Sequence, residues 1–295
     1  MLKHHHATER LPNRVVILGA GGFVGAALMA NLQGRGVNVL GLTRGELDLL
    51  SPDAARRLSG ELRDSDSLVV ISAEAPVKNN SMLINNLRMM VAVCDAIAAR
   101  SVSHVLYVSS DAVYADSDGL LSEESCAEPS SLHGIMHLAR ELMLAEVCGA
   151  SLCTLRPTLI YGAADPHNGY GPNRFRRLAN QGHAISLFGA GEERRDHIYV
   201  DDVAEIIARC VLQKSTGTLN VATGVVASFR EIAGKVIALS RQQVPMIEVP
   251  RVGLMPHRGY RAFDSSATMR AFPDFVYTPL DDGLALSQQR EFPNG

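Results

Sequence analysis

Arg14-Val-Val-Ile-Leu-Gly19-Ala-Gly-Gly22-Phe23-Val-Gly25 is an apolar run that breaks into glycines and resumes as a helix. Four consecutive aliphatic residues with no polar alternation read as a strand buried on both faces, the habit of a parallel sheet. The Ala/Leu/Met-rich stretch from Gly22 to Gln33 has helical texture and ends at Gly34 and Gly36. Between strand and helix, glycine is required where the chain turns tightly, where backbone approaches a pyrophosphate, and where helix packs on strand. The helix start then offers unpaired N–H groups and a partial positive charge to phosphate. Gly19, Gly22 and Gly25, with Phe23 between them, are therefore expected to bind a dinucleotide. A merely tight turn is the alternative.

Outward from this loop, the next apolar run, Val37–Leu42, leads into Thr43 and Arg44. An NAD site offers a carboxylate at that place to hold the ribose hydroxyls. Here a small residue stands there and a guanidinium follows, which suits a 2′-phosphate by bidentate pairing. NADP is the expected cofactor, with NAD the alternative if Arg44 only stacks on adenine. Asp48 either accepts from the adenine amine or is a solvated loop acid. Ser51-Pro52-Asp53 opens a helix, with Ser51 as N-cap and Pro52 in the first turn.

Strands over Ser67–Ser72, His104–Ser109 and Leu152–Arg156 alternate with helices over Met82–Arg100 and Leu132–Cys148. This alternation builds βαβ units and a parallel sheet covered on both faces. The expected fold class is α/β, a doubly wound Rossmann sheet over residues 13–160 preceded by a mobile leader, residues 1–12. Residues 161–295 form mainly a smaller C-terminal substrate-binding lobe, with elements returning to the core. The stretch Tyr161–Pro172, rich in Gly, Pro, Asp and Asn, reads as a functional loop. Val200–Leu212 and Ser228–Ser240 read as further helices.

The chain has 295 residues, 46% apolar and 20% charged, with a formal net charge of −3. That balance gives no reason to expect nucleic acid or an anionic membrane as partner. No apolar run approaches the roughly 20 residues that span a bilayer, and the His4–His6 leader lacks the apolar region of a signal peptide. Cys94, Cys126, Cys148, Cys153 and Cys210 lack metal-ligand spacing. They read as reduced, mostly buried thiols of a cytoplasmic protein, and no metal site is expected.

Several further motifs stand in order. Asn85-Asn86 lies in the third helix, followed by Val108-Ser-Ser110-Asp111-Ala-Val-Tyr114 and Leu155-Arg-Pro157-Thr-Leu-Ile-Tyr-Gly162. Phe188-Gly-Ala-Gly-Glu-Glu-Arg-Arg195-Asp-His-Ile-Tyr-Val-Asp-Asp202 comes last. With the GxxGxxG spacing, these make the chain resemble the extended short-chain dehydrogenase/reductase family from about Val15 to Phe263. That family comprises nucleotide-sugar epimerases, dehydratases and reductases. The resemblance implies hydride transfer between NAD(P) and a sugar carbon of a nucleotide-diphosphate sugar, in a homodimer formed through the helices at 82–100 and 132–148. It places Ser110 on the reacting sugar oxygen, Ala73 and Pro157 beside the cofactor, and Asn173 and Arg195 on the substrate. Arg258 is a second phosphate contact whose spacing to Asp264 departs from the family pattern.

The family's proton donor and its lysine, Y-x-x-x-K, are replaced here by His133-Gly-Ile-Met-His137. Histidine titrates near neutrality unaided, so His133 is a candidate acid/base and His137 a candidate partner for the nicotinamide ribose. Three alternatives stand beside this: catalysis through Ser110, Asp111 or Lys78, a silenced protein that keeps ligand binding, and metal binding by the i, i+4 histidine pair. Asp111 matches the acid that protonates a leaving hydroxyl in some dehydratases, although Ala112 replaces its usual glutamate neighbour. Otherwise Asp111 caps the turn leaving the strand.

Overall fold

The computed structural model describes residues 2–240 and 242–293. The chain runs β1 (Val15–Leu18), α1 (Phe23–Gly34), β2 (Val39–Leu42), α2 (Ala54–Glu61), β3 (Ser67–Val70), α3 (Asn80–Ala99), β4 (His104–Val108), α4 (Leu132–Cys148) and β5 (Leu152–Pro157). It continues through β6 (Leu159–Tyr161), α5 (Pro172–Asn180), β7 (Ile185–Phe188), β8 (Arg194–Tyr199), α6 (Val200–Leu212) and β9 (Gly217–Val221). The last elements are β10 (Val226–Ser228), α7 (Phe229–Leu239), β11 (Met246–Val249), β12 (Tyr260–Arg261), α8 (Ser266–Ala271) and α9 (Leu280–Glu291).

Six strands form one parallel sheet in the order β2-β1-β3-β4-β5-β9. Alternate residues explain why β1 is wholly apolar: Val15 and Ile17 face α1 and α6, whereas Val16 and Leu18 face the layer containing α2 and α3. Strand order reverses beside β1, and the crevice at such a switch point is where α/β sheets bind ligands. Short strands β6, β8, β10 and β12 make a second sheet, and β7 pairs with β11. These elements, with α5 and α7, sit on the C-terminal ends of the main strands, while α6 and β9 return to the core.

Three local expectations change. Residues 2–12, expected as a mobile leader, lie against the end of α6: Lys3 exchanges both backbone hydrogen bonds with Thr216 at 2.8 Å, and the His4 ring bonds Ser215 Oγ at 2.7 Å. Ser51 does not cap α2, because the chain makes a further turn and Asp53 takes the N-cap position. The 20-residue α3 is long and apolar enough, by length and composition, to cross a membrane. It lies on the sheet, with Met89, Met90, Val93 and Ile97 buried and Asn79 capping its start. The sequence pattern hid its length because Asn85, Asn86 and Arg88 interrupt the apolar run.

Candidate active site

A cleft of about 1660 Å³ opens where the lobe meets the strand ends. Its floor is the glycine loop. Gly19 has φ +93°, and a Cβ there would lie 2.8 Å from the Ser72 backbone nitrogen. A Cβ on Gly25 would stand 2.1 Å from the Gly19 carbonyl oxygen, so α1 seats itself directly on the turn. No side chain caps α1 at Gly22. Its first N–H groups are left for a ligand, as a pyrophosphate requires. The donor set and the space that side chains would otherwise fill both fit a dinucleotide. Gly19, Gly22, Phe23, Thr43, Arg44, Asp48, Ala73 and Pro157 all line the cleft, whereas Gly25 acts from behind as the packing glycine.

Arg44 is largely exposed and lies 3.7 Å from Asp48. Asp48 Oδ1 accepts from the Leu50 N–H at 3.0 Å, so this acid shapes the loop. At the end of β3 the loop is held by Asn86. Its Oδ1 accepts from the Glu74 N–H and its Nδ2 donates to the Glu74 carbonyl, both at 3.0 Å.

The reacting end is assembled by close approach of α4 to the turn after β4. A Cβ on Gly134 would fall 2.0 Å from the Ala112 carbonyl oxygen. That contact brings His133 to the turn carrying Ser110, and both line the cleft. Ser110 Oγ accepts from the Ala112 N–H at 3.1 Å and turns its own proton to Asp111 Oδ1 at 3.4 Å, a long bond that a ligand oxygen can replace. His133 Nδ1 accepts from the Val77 N–H at 3.4 Å. The remaining proton therefore sits on Nε2 (a tautomer assigned from this bond). Burial lowers the His133 pKa, against a smaller opposing influence of Asp111. An imidazolium would turn a second N–H against that of Val77. The Val77 bond and burial together favour a neutral His133 that donates from Nε2.

His137 is buried and its Nδ1 lies 2.8 Å from the Tyr107 hydroxyl. Burial, then the neighbouring His133 and the Arg140 guanidinium, push its pKa well down. Its neutral form is thereby favoured, and the residue lines the cleft. The two rings meet edge to face at 4.7 Å. Among the described residues no group of three His, Cys, Asp or Glu side chains is placed to hold a metal ion.

Asp111 differs from the expected leaving-group acid. Its Oδ2 accepts from Arg261 Nε at 2.9 Å and stands 3.9 Å from Arg195, so it serves as counter-ion to two guanidiniums. Arg195 lines the cleft and is also paired to Glu193 at 3.3 Å. Arg258 lies at the mouth, exposed and 3.4 Å from Asp118, on two successive left-handed residues, His257 and Arg258. Asn173 does not line the cleft. It is buried, accepting from the Gly162 N–H at 3.0 Å and donating to Asp165 at 2.9 Å, so it pins the loop after β6. Lys78 is exposed and off the cleft wall. No cysteine among the described residues lines the cleft. Sequence reasoning missed Val77, Tyr107, Arg140 and Arg261, which act through a backbone N–H or from behind the wall and carry no motif.

The model of the NAD dependent epimerase/dehydratase family matches residues 15–222. The chain is 26% identical over 260 residues to GDP-L-fucose synthase of Escherichia coli (strain K12), covering 75% of this chain and 79% of that protein. It is 25% identical over 268 residues to dTDP-4-dehydro-6-deoxy-D-allose reductase of Streptomyces bikiniensis, covering 76% and 80%. The structure of UDP-glucuronic acid 4-epimerase from Bacillus cereus, in complex with UDP-glucuronic acid and NAD, superposes with a TM-score of 0.81. That superposition covers 95% of this chain and 99% of that one at 19% identity, a likeness of fold. A glycine cradle at a sheet switch point, a hydroxyl donor after β4 and a family model spanning both establish that the chain belongs to the NAD dependent epimerase/dehydratase family.

Proposed function

We propose that this chain reduces a carbonyl carbon of a nucleoside-diphosphate-linked keto-sugar, using a reduced nicotinamide cofactor, NADPH before NADH. The observation that carries this reading is the Val77 N–H on His133 Nδ1. It leaves His133 able to donate from Nε2 and unable to accept a proton there. A ketone oxygen gaining negative charge needs donors, and Ser110 and His133 supply two. An epimerase or dehydratase cycle begins by deprotonating a sugar hydroxyl, which needs a base. The engagement of Asp111 with Arg261 supports a counter-ion role over that of a dehydratase acid.

When bound, the reduced cofactor supplies the hydride. Ser110 Oγ–H and His133 Nε2–H hold the carbonyl oxygen and stabilise its growing charge, as neutral imidazole does in other enzymes. His137 Nε2 orients the nicotinamide ribose. The proton that completes the alcohol comes from solvent in the open cleft. Arg195 and Arg258 bind the diphosphate. The preference for NADPH rests on Arg44, exposed beyond the end of β2 where Thr43 stands in place of an acid.

The test is consumption of NADPH or NADH by the purified protein over a panel of keto-sugar nucleotides. Net oxidation of the cofactor supports the reading. Tightly held NAD with sugar interconversion and no net consumption sinks it in favour of an epimerase. Cofactor binding without turnover of any sugar sinks it in favour of a silent binder. Arg44→Ala is expected to weaken NADPH about tenfold and NADH less than threefold, since one charge-assisted phosphate pair is lost. Calorimetric titration of both cofactors checks this.

The protein is further proposed to be a cytoplasmic homodimer. Ile84 and Val91 on α3 and Ile135 and Leu142 on α4 are exposed on two helices that pack side by side. Apolar residues at helical spacing over paired helices suit a four-helix contact. Leu142→Glu is expected to convert the dimer to monomer in sedimentation velocity. A wild-type chain that sediments as a monomer at micromolar concentration would remove the proposal.

A further inference from the structure

His133, His137, Arg140 and Leu144 project from one face of α4. Arg140 is fully buried. Its Nη2 donates to the Ser72 carbonyl at 2.8 Å. Its Nη1 faces Asn86 Oδ1 at 3.5 Å and Met136 Sδ at 3.7 Å. Its Cζ stands 5.2 Å from the centroid of the Tyr107 ring, and Nε has no partner. None of these neighbours is an anion. The adjacent Glu141 is committed to Arg156, at 2.9 Å and 2.6 Å, and to Ser109.

A buried guanidinium surrounded by neutral groups keeps its full field, because no counter-ion cancels it and little water screens it. Its contacts locate that field. Ser72 and His137 line the cleft, and the Tyr107 ring lies beneath the cation while its hydroxyl meets His137 Nδ1. The charge thus lies one side chain behind the wall at the reacting end. A nicotinamide ring is positive when oxidised and neutral when reduced, while the rest of the cofactor is the same in both states.

We propose that Arg140 selects the redox state of the bound cofactor: an uncompensated cation behind the Ser72–His137 wall makes the cleft hold the reduced nicotinamide more tightly than the oxidised one. The inference rests on the site reading above and adds a positioning residue to it. A cleft that disfavours the oxidised ring discharges it after each turnover. It does not retain that ring through an internal redox cycle. At about 10 Å and an effective dielectric of about 20, a unit charge corresponds to a factor of roughly ten.

The experiment measures dissociation constants of NADPH and NADP⁺ for the wild type, Arg140→Met, Arg140→Lys and Met136→Glu. Met136→Glu keeps Arg140 and gives it a carboxylate partner. The ratio of oxidised to reduced dissociation constants is expected to fall about tenfold in Arg140→Met and in Met136→Glu, and to survive in Arg140→Lys. Losing the bond to the Ser72 carbonyl weakens both forms alike and leaves the ratio unmoved. If Arg140→Met does not fold, Met136→Glu decides alone. An unchanged ratio in a folded Arg140→Met or Met136→Glu protein overturns the inference while leaving the site reading intact. A wild type that binds the oxidised form more tightly also overturns it, and one that binds neither form overturns both.

Discussion

Gly134→Ala is expected to reduce kcat/KM about a hundredfold while leaving cofactor affinity within about threefold of wild type. The added methyl would stand 2.0 Å from the Ala112 carbonyl oxygen and 2.6 Å from Pro129 Cβ, and neither backbone nor proline can swing aside. Helix α4 must then retreat from the turn that carries Ser110. A displacement of about 1 Å between groups acting on one atom costs about a hundredfold. Overpacking of this kind also costs about 1–3 kcal/mol of stability. The glycine cradle at Gly19–Gly25 belongs to different elements, so the cofactor's phosphates are still held. Steady-state kinetics beside cofactor titration and a melting curve separate these effects. Full activity in Gly134→Ala would show that the contact between α4 and the turn does not set the site.

The second large effect concerns His133. His133→Phe is expected to lower kcat between about a hundredfold and a thousandfold, the usual loss for one donor to a developing oxyanion. His133→Gln restores an N–H donor and no base, and it is expected to recover at least tenfold of that loss. Glutamine no better than phenylalanine would mean that His133 works by taking up a proton. The pH profile gives an independent reading. Burial lowers the His133 pKa from its ordinary 6.5, and its working form is the neutral one. Activity is therefore retained as pH falls through 6.5 and is lost only below that, as the imidazole at last takes a proton.

The layered core was legible from the strand and helix patterns because burial on both faces leaves uninterrupted aliphatic runs. Leu132–Cys148 and Val200–Leu212 match their expected bounds because an apolar stripe recurs at helical spacing through each. The lobe was less legible: β6, β7, β10 and β12 are two to four residues long, too short for any period to register. In the site, glycine spacing and the residues after β4 were readable because phosphate and substrate demand particular residue types at fixed spacing. Asn173 was misplaced because a polar residue in a Gly/Asn-rich loop looks the same in sequence whether it faces a ligand or holds backbone. The pairing of Asp111 with Arg261 leaves no mark in the sequence because 150 positions separate the two. The tautomer of His133 depends on a backbone N–H, which leaves no trace in residue identity.

The buried Arg140 has a consequence for how this sequence is connected to its relatives. A lysine at position 137 would place an ammonium one helical turn from a guanidinium that already lacks an anion, with Tyr107 in contact with both positions. Two such cations in one dry pocket exclude each other. His137→Lys is therefore expected to lower the melting temperature, and to lower it less when Met136→Glu supplies a carboxylate. His133, His137 and Arg140 thus form one electrostatic unit on a single helix face. Grafting the family's pair onto this scaffold by His133→Tyr and His137→Lys alone is a route that begins downhill.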